Sequence, residues 1–207
     1  MRYGRIPDET IRRLPIYLRA LLFMSEQNIK SISSEKLADF IGTNSGQIRK
    51  DFSYFGNFGR RGVGYNIEKL EKEIKRILKL NKVQKAALIG VGNLGSAILA
   101  YPGFNIIGFN VAVAFDNNPN KIGRKIKDIS IENVSKLCTL KQRKIKLAII
   151  AVPRQAAQET ADKLVKAGIK GILNFSPCYI TVPKKIKVIT LDIAMDLARL
   201  PYYMPAG

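Results

Sequence analysis

A glycine-rich turn within residues 86–96 constrains the fold of this chain more than any other stretch. The apolar run 86–89 ends on Gly90, and Gly92 and Gly95 follow at the spacing of the dinucleotide-binding fingerprint. Gly90 permits a tight exit from a strand, Gly92 lets backbone amides approach a pyrophosphate, and Gly95 lets the next helix pack closely on the sheet. The N-terminus of that helix supplies free N–H groups and a positive dipole end. The pattern therefore predicts a strand, a phosphate-binding turn and a helix.

The chain after this turn alternates between apolar strands and helices, which is typical of a Rossmann fold with a doubly wound parallel sheet. Asp116 ends the next predicted strand, residues 106–116, and lies 21 residues after Gly95, where the ribose-binding acid of an NAD site belongs. Further strands are predicted over 145–152, 170–175 and 187–191, and a helix over 155–167. Ligands bind at the carboxyl ends of such strands, so the candidate cofactor-binding residues are Gly90, Val91, Gly92, Asn93, Leu94, Gly95, Asp116, Val152, Pro153, Phe175 and Ser176.

The residues after Asp116 bear on which cofactor binds. Asn117 and Asn118 follow it with no adjacent arginine, which favours NAD or NADH over the phosphorylated cofactor. Lys121 and Arg124 lie nearby and leave that choice open.

The N-terminal part of the chain predicts a helix-turn-helix. A first helix is expected from Asp8 to Met24, with Pro15 as a defect that can kink it, and a second begins at the cap Ser33 and closes at Gly42. Asn44 or Ser45 caps a third helix that extends to residue 53. The start of a recognition helix meets base edges, so the candidate DNA-binding residues here are Ser45, Gln47, Arg49 and Lys50.

Residues 54–65 predict a β-hairpin wing, because aromatic residues alternate with glycines around a basic tip. The tip residues Arg60, Arg61 and Gly62 are suited to a narrow minor groove, whose negative potential favours arginine. Asn66 then begins an amphipathic helix whose apolar face must pack on the preceding helices. We therefore expect a winged-helix domain over residues 1–80, a Rossmann domain over 81–191 and a C-terminal helix within 192–207.

Composition agrees with a nucleic-acid partner without locating it. The 207 residues carry a net charge of +19, with 16 basic and 9 acidic residues up to Leu80 and 19 and 7 thereafter. Such a balance suggests a polyanionic ligand. The lysine runs at 121–127 and 141–146 are interpreted as solvated faces.

Several function classes are disfavoured by what the sequence lacks. There is no histidine, which removes the commonest general base and imidazole zinc sites, so we expect no metal. Cys138 and Cys178 lie outside any Cys-x-x-Cys pattern and are expected to be small buried hydrophobes in a reducing compartment. With neither a signal peptide nor an apolar run of about 18 residues, a cytoplasmic protein without membrane contact is expected.

Four segments together resemble the Rex family of redox-sensing transcriptional repressors. They are Gln-Ile-Arg-Lys-Asp-Phe-Ser-Tyr-Phe-Gly at 47–56, Arg-Gly-Val-Gly-Tyr-Asn at 61–66, Gly-Val-Gly-Asn-Leu-Gly at 90–95 and Gly-Ile-Lys-Gly-Ile-Leu-Asn-Phe at 168–175. The resemblance covers nearly the whole chain. It implies a homodimer with a C-terminal helix exchanged between subunits, which binds an inverted-repeat, double-stranded operator and releases it when NADH replaces NAD⁺.

The resemblance also implies individual roles. Tyr54 joins the DNA-binding residues, and Asn174 and Tyr101 join the cofactor-binding ones. A switch is implied in which Asp192 pairs with Arg19 in one state or with Tyr101 near the nicotinamide in the other. Some relatives place an aromatic residue after that aspartate, whereas this chain has Ile193.

The main alternative is an NAD-dependent dehydrogenase. Without histidine its proton donor would have to be Tyr65 with Lys69, at Tyr-x-x-x-Lys spacing. That pair precedes the nucleotide-binding turn, whereas the resembling pair of short-chain dehydrogenases follows it, so we interpret the two residues as the end of the wing and a helix surface. A cofactor-binding scaffold that does not bind DNA would leave the basic wing unexplained.

Overall fold

The computed structural model describes residues 6–60 and 63–204, and the chain divides after Lys82 into an N-terminal unit and a C-terminal unit. Each unit has its own apolar core. The predicted tip of the wing at Arg61 and Gly62 lies outside the described residues, as does the side chain of Arg60.

The N-terminal unit is a winged helix-turn-helix, as the sequence predicts. Its elements are α1 (Asp8–Glu26), β1 (Ser31–Ile32), α2 (Ser34–Ile41), α3 (Ser45–Ser53), β2 (Gly59–Arg60), β3 (Gly64–Asn66) and α4 (Ile67–Ile77). The three short strands form one antiparallel sheet in the order β1-β3-β2.

Polar side chains at the helix starts set the boundaries of these helices. Ser33 accepts a hydrogen bond from the Lys36 N–H at the start of α2, and Asn44 accepts one from the Gln47 N–H at the start of α3. Gly42 ends α2 with a φ of +70°, a conformation that favours glycine. The predicted caps are therefore confirmed, and α1 continues through Pro15 without ending.

The apolar faces of α1 and α4 meet in the core of this unit. Leu14, Leu21, Leu70 and Ile74 are at most 1% exposed and belong to one cluster, which confirms the predicted packing of the amphipathic helix. Burying each such side chain contributes about 1.5–3 kcal/mol relative to leaving it in water.

The C-terminal unit has a Rossmann fold around a seven-stranded sheet. Its strands are β4 (Gln84–Ile89), β5 (Phe109–Asp116), β6 (Lys125–Ile126), β7 (Ile129–Asn133), β8 (Leu147–Ile150), β9 (Gly171–Asn174) and β10 (Lys187–Thr190). The spatial order is β10-β9-β8-β4-β5-β7-β6, and only the edge pair β6-β7 is antiparallel. Counted over the parallel strands, this is the order 3-2-1-4-5-6 of dinucleotide-binding sheets, whose switch point lies between β4 and β8.

Both faces of the sheet are covered. Along β4, Ala87 and Ile89 belong to the core cluster on one face, and Leu88 belongs to the cluster on the other. The helices of this unit are α5 (Asn93–Ala100), α6 (Gly103–Ile106), α7 (Arg154–Lys166) and α8 (Ile193–Leu197), with 3₁₀ helices at Val134–Leu140 and Leu200–Tyr203.

Two element boundaries and the burial of the cysteines differ from the sequence prediction. The strand expected from residue 106 begins at Phe109, because Gly103–Ile106 forms a helical turn and Gly108 has a φ of +87°. The C-terminal helix expected to continue to about Tyr203 ends at Leu197, and a separate 3₁₀ turn containing Pro201 follows. Both cysteines are expected to be buried, but Cys138 is exposed and Cys178 is partly exposed. No helix within residues 6–60 and 63–204 is long and apolar enough to cross a membrane.

Candidate functional site

The glycine turn is built as its three glycines require. Gly90 follows β4 with a φ of +93°, and a Cβ at this position would lie 2.5 Å from the carbonyl oxygen of Ala151. A Cβ at Gly95 would lie 2.0 Å from the carbonyl oxygen of Gly90, so α5 approaches the strand too closely for any side chain. A Cβ at Gly92 would meet no atom within 4 Å. The turn is therefore tight on its inner side and open at Gly92, where its backbone faces free space.

Asp116 is tied directly to this turn. It is 6% exposed, and one carboxylate oxygen accepts the Val91 N–H at 2.8 Å while the other accepts the Asn118 N–H at 2.8 Å. The ammonium of Lys121 lies 3.3 Å from the oxygen that faces Val91. Burial alone would raise the pKa of Asp116, but the N–H groups of Asn118 and Val91, together with Lys121, hold that pKa below its usual range. The site thus holds a carboxylate anion beside the turn.

A cleft of about 360 Å³ lies above these residues, at the carboxyl ends of β4, β5 and β8. It contains the switch point of the sheet, where open α/β sheets bind their ligands. Predicted cofactor-binding residues meet on its walls, namely Gly90, Gly92, Asp116, Val152 and Pro153. Asn93 and Leu94 are exposed at the start of α5 next to this cleft, whereas the Val91 side chain is buried.

Two predicted cofactor-binding side chains are turned inward. Asn174 and Ser176 are at most 1% exposed. The Asn174 amide donates to the Cys178 carbonyl at 2.9 Å and accepts the Ser176 N–H, while the Ser176 hydroxyl donates to the Val152 carbonyl at 2.6 Å. These bonds hold the loop after β9 against the end of β8, beside the partly buried Phe175. Direct contact of these residues with a cofactor stays a prediction.

The three residues of the implied switch have accessible polar groups. Tyr101 ends α5, is 55% exposed and makes an edge contact with Phe104, and Asp192 caps α8 by accepting the N–H groups of Ala194 and Met195 at 3.2 Å. Arg19 is exposed on α1 in the N-terminal unit. Each side chain is therefore available for a new partner, and their mutual pairing stays a prediction.

The third helix of the N-terminal unit has the predicted polar side chains at its surface. Arg49 and Lys50 are exposed, and Ser45, Gln47 and Tyr54 are partly exposed. The Arg49 guanidinium donates to the Ser34 hydroxyl at 2.8 Å and to the Glu35 carboxylate at 3.0 Å, so α2 holds this side chain. The Lys50 ammonium has no partner among the described residues. A groove of about 640 Å³ runs between α2, α3 and the wing, with Arg49 on its wall.

Sequence reasoning missed the most highly bonded side chain of this unit, Asp51. It lies on the inner face of α3 with no exposed surface. Its carboxylate accepts hydrogen bonds from Thr10 at 2.9 Å, from Arg13 at 2.6 and 2.8 Å, from Tyr17 at 2.6 Å and from Gln47 at 2.9 Å.

These bonds determine the charge state of Asp51 and join α3 to α1. Burial raises the pKa of the Asp51 carboxyl, but the hydrogen bonds from Arg13, Tyr17, Thr10 and Gln47 outweigh it and lower that pKa to about 2. One aspartate in a mostly polar helix carries no local signal for such a site, because three of the four partners lie 34–41 positions away.

The residues that a dehydrogenase would need as proton donor belong to the N-terminal unit and do not line the cleft. Tyr65 is 8% exposed, belongs to β3 and packs edge-on against Phe52 in the core of the N-terminal unit. Lys69 lies on the exposed face of the first turn of α4. Among residues 6–60 and 63–204, no cluster of three or more His, Cys, Asp or Glu residues could hold a metal ion.

Comparison with known proteins agrees with this architecture. The family model described as "CoA binding domain" matches residues 81–178, and the one described as "Putative DNA-binding protein N-terminus" matches residues 5–53. The redox-sensing transcriptional repressor Rex of Chloroflexus aurantiacus is 44% identical over 199 residues, covering 96% of this chain and 94% of that protein. Rex of Brevibacillus brevis is 41% identical over 204 residues, with 98% and 99% covered.

Solved structures give the same result. The crystal structure of RSP in complex with β-NAD⁺ and operator DNA has a TM-score of 0.89 at 38% identity and covers 97% of this chain and 93% of that one. The structure of RSP in complex with β-NADH has a TM-score of 0.88 at 37% identity, with 97% and 94% covered. With this identity over nearly the full length, and with both units folded as described, the chain belongs to the Rex family of redox-sensing transcriptional repressors.

Proposed function

We propose that this chain binds an inverted-repeat operator as a homodimer and leaves it when NADH occupies the cleft of the C-terminal unit. The observation that carries the proposal is the hydrogen bond of 2.8 Å between the Val91 N–H and Asp116, which joins the glycine turn to the acidic residue at the mouth of that cleft. The same chain carries a helix-turn-helix with basic side chains on α3. A nucleotide site and a DNA-reading helix in one chain are what a cofactor-controlled repressor needs.

The residues of the cleft fit NAD(H). The space at Gly92 admits a pyrophosphate close to the backbone, and the first N–H groups of α5 lack partners within the helix. The Asp116 oxygen that accepts from Asn118 has a lone pair left for a ribose hydroxyl, since no other donor to it lies among the described residues. The Lys121 ammonium already pairs with this carboxylate. It would therefore attract a 2′-phosphate less strongly than an unpaired ammonium would. These features support NAD and NADH as the cofactors.

Exposed apolar side chains support the homodimer. Ile193, Leu197, Tyr202 and Tyr203 are between 63% and 86% exposed. The helix α8 spans five residues, too short to be stable without packing. A segment that is apolar and unsupported in one copy is stabilised when a second copy covers it, which fits a C-terminal helix exchanged between subunits.

The DNA-reading residues are proposed to be Ser45, Gln47, Arg49, Lys50 and Tyr54 on α3, with Arg60, Arg61 and Gly62 in the wing. For Arg49 to meet DNA it must leave Glu35, and the exposed ion pair costs little to break. Phosphate then replaces carboxylate as its partner.

Fluorescence anisotropy of a labelled duplex carrying an AT-rich inverted repeat tests the proposal. The chain should bind this duplex more tightly than a scrambled duplex, and added NADH should weaken the binding while NAD⁺ leaves it unchanged or strengthens it. If NADH has no effect on binding at saturating concentration, the proposed switch is refuted.

A further inference from the structure

The buried carboxylate of Asp51 holds a hydrogen bond to Gln47, one of the side chains of α3 that the proposed function places at the DNA. The Gln47 amide nitrogen lies 2.9 Å from one Asp51 oxygen, one helical turn away. A carboxylate only accepts hydrogen bonds, so the nitrogen of the Gln47 carboxamide must face Asp51 and its oxygen must face away. The pKa of about 2 keeps Asp51 ionised at neutral pH, so this preference holds throughout the physiological range.

Asp51 is itself held in place from the other side. The guanidinium of Arg13 binds both carboxylate oxygens, and Thr10 and Tyr17 each bind one of them. All three donors belong to α1, which packs in the core of the unit. The carboxylate therefore cannot turn to follow a rotating Gln47, and the orientation of the carboxamide is set by a rigid partner.

The outward edge of Gln47 consequently presents a defined pair of groups. It has the oxygen as an acceptor and the second N–H as a donor. In the major groove adenine offers the complementary pair, the N6 amino donor and the N7 acceptor. A carboxamide turned by 180° exchanges these groups relative to the helix and loses that match.

We propose that Asp51 is a positioning residue for sequence recognition, which fixes the Gln47 carboxamide so that α3 reads an adenine at one position of each half-site. The proposal rests on the proposed function, because Gln47 must face operator DNA. Asp51 touches no base, and it acts only through Gln47.

The test compares full-length variants on duplexes that the wild-type chain selects from a library of inverted repeats with randomised half-sites. Affinity is then measured for every single-base change in a half-site, without NADH. We expect wild type to prefer adenine at one position by roughly tenfold. Gln47→Ala and Asp51→Asn should each reduce that preference to within about twofold at the same position, and the double variant should show no further loss.

Control variants separate positioning from support of the fold. Thr10→Val removes a donor to Asp51 without touching Gln47, so it should lower the unfolding temperature and keep the adenine preference. Asp39→Asn changes an exposed carboxylate on α2 and should alter neither property. An Asp51→Asn variant that keeps the wild-type preference overturns the proposal, as does a Gln47→Ala variant that keeps it.

A further test uses wild-type protein and Gln47→Ala, so it does not depend on whether Asp51→Asn folds. The side-chain amide resonances of Gln47, assigned by their loss in Gln47→Ala, should show one proton shifted downfield and protected from solvent exchange. Two rapidly exchanging protons overturn the proposal. The failure of the proposed function is distinct, because the library selection with wild type would then yield no sequence preference at all.

Discussion

Two glycine-to-alanine substitutions in the same turn should affect different properties. Gly95→Ala should lower the stability of the fold, whereas Gly92→Ala should lower the affinity for the cofactor. In Gly95→Ala the new methyl group would lie 2.0 Å from the Gly90 oxygen, where real Cβ atoms keep at least 3.0 Å, so α5 must shift by about 1 Å. Overpacking of this kind costs about 1–3 kcal/mol or more. At about 2–4 °C per kcal/mol, the unfolding temperature should fall by several degrees.

Gly92→Ala is the matched control, because it adds the same methyl group where nothing lies within 4 Å. Gly92 has a φ of −80°, which alanine adopts freely. Replacing glycine at the N-cap of α5 should therefore destabilise the fold much less than Gly95→Ala does. Its methyl group instead fills the space next to the backbone amides. Losing one hydrogen bond to a charged phosphate costs about 1.5–3 kcal/mol, so NADH affinity should fall by roughly tenfold or more.

Circular dichroism melting and isothermal titration with NADH measure the two properties. Gly95→Ala should be clearly less stable than Gly92→Ala, while Gly92→Ala should melt near wild type and bind NADH weakly. Equal stability of the two variants would refute the assigned helix-to-strand contact. Wild-type NADH affinity in Gly92→Ala would refute the placement of the pyrophosphate.

Three further outcomes are expected. Asp192→Ala should bind operator DNA but respond poorly to NADH in an anisotropy titration, and a wild-type response would remove Asp192 from the switch. Lys50→Ala should reduce discrimination between operator and random DNA, whereas an equal loss of affinity for both would assign this lysine to a phosphate. The pKa of Asp51 is lowered in the folded chain, so its stabilisation is complete above the usual value of 3.8 and is lost as pH falls towards 2. At about 1.4 kcal/mol per pH unit, wild type should lose roughly 2–3 kcal/mol more than Asp51→Asn as Asp51 is protonated in urea unfolding, and parallel curves would contradict this.

Local sequence signals predict much of the fold. Ser33, Asn44 and Asn66 each cap a helix through a hydrogen bond to an N–H three residues on, and such bonds depend only on neighbouring residues. The spacing from Gly95 to Asp116 likewise predicts the joining of turn and acid, because both follow adjacent parallel strands. Periodicity and caps therefore suffice where the partners are close in the chain.

Features that depend on residues far apart in the chain could not be predicted from the sequence. In the sequence, Asp51 is an ordinary polar residue of a helix, because the α1 side chains that bind its carboxylate are distant in the chain. The residue type and position of Gln47 predict a contact with DNA, yet the orientation of its carboxamide depends on that buried carboxylate. The edge strands β6 and β7 were missed because each is short and neither has a long apolar run, and the strand start at residue 106 was wrong because a glycine turn precedes it.

Reciprocal binding measurements test the central claim that the glycine-turn cleft senses NADH for the DNA-binding helix. Coupling between two ligands is symmetric, so the factor by which NADH weakens operator binding must equal the factor by which operator weakens NADH binding. Titrating NADH by calorimetry with and without saturating operator duplex should therefore give a lower NADH affinity in its presence, by the factor that anisotropy finds for DNA. An NADH affinity that is identical with and without the duplex would contradict the account.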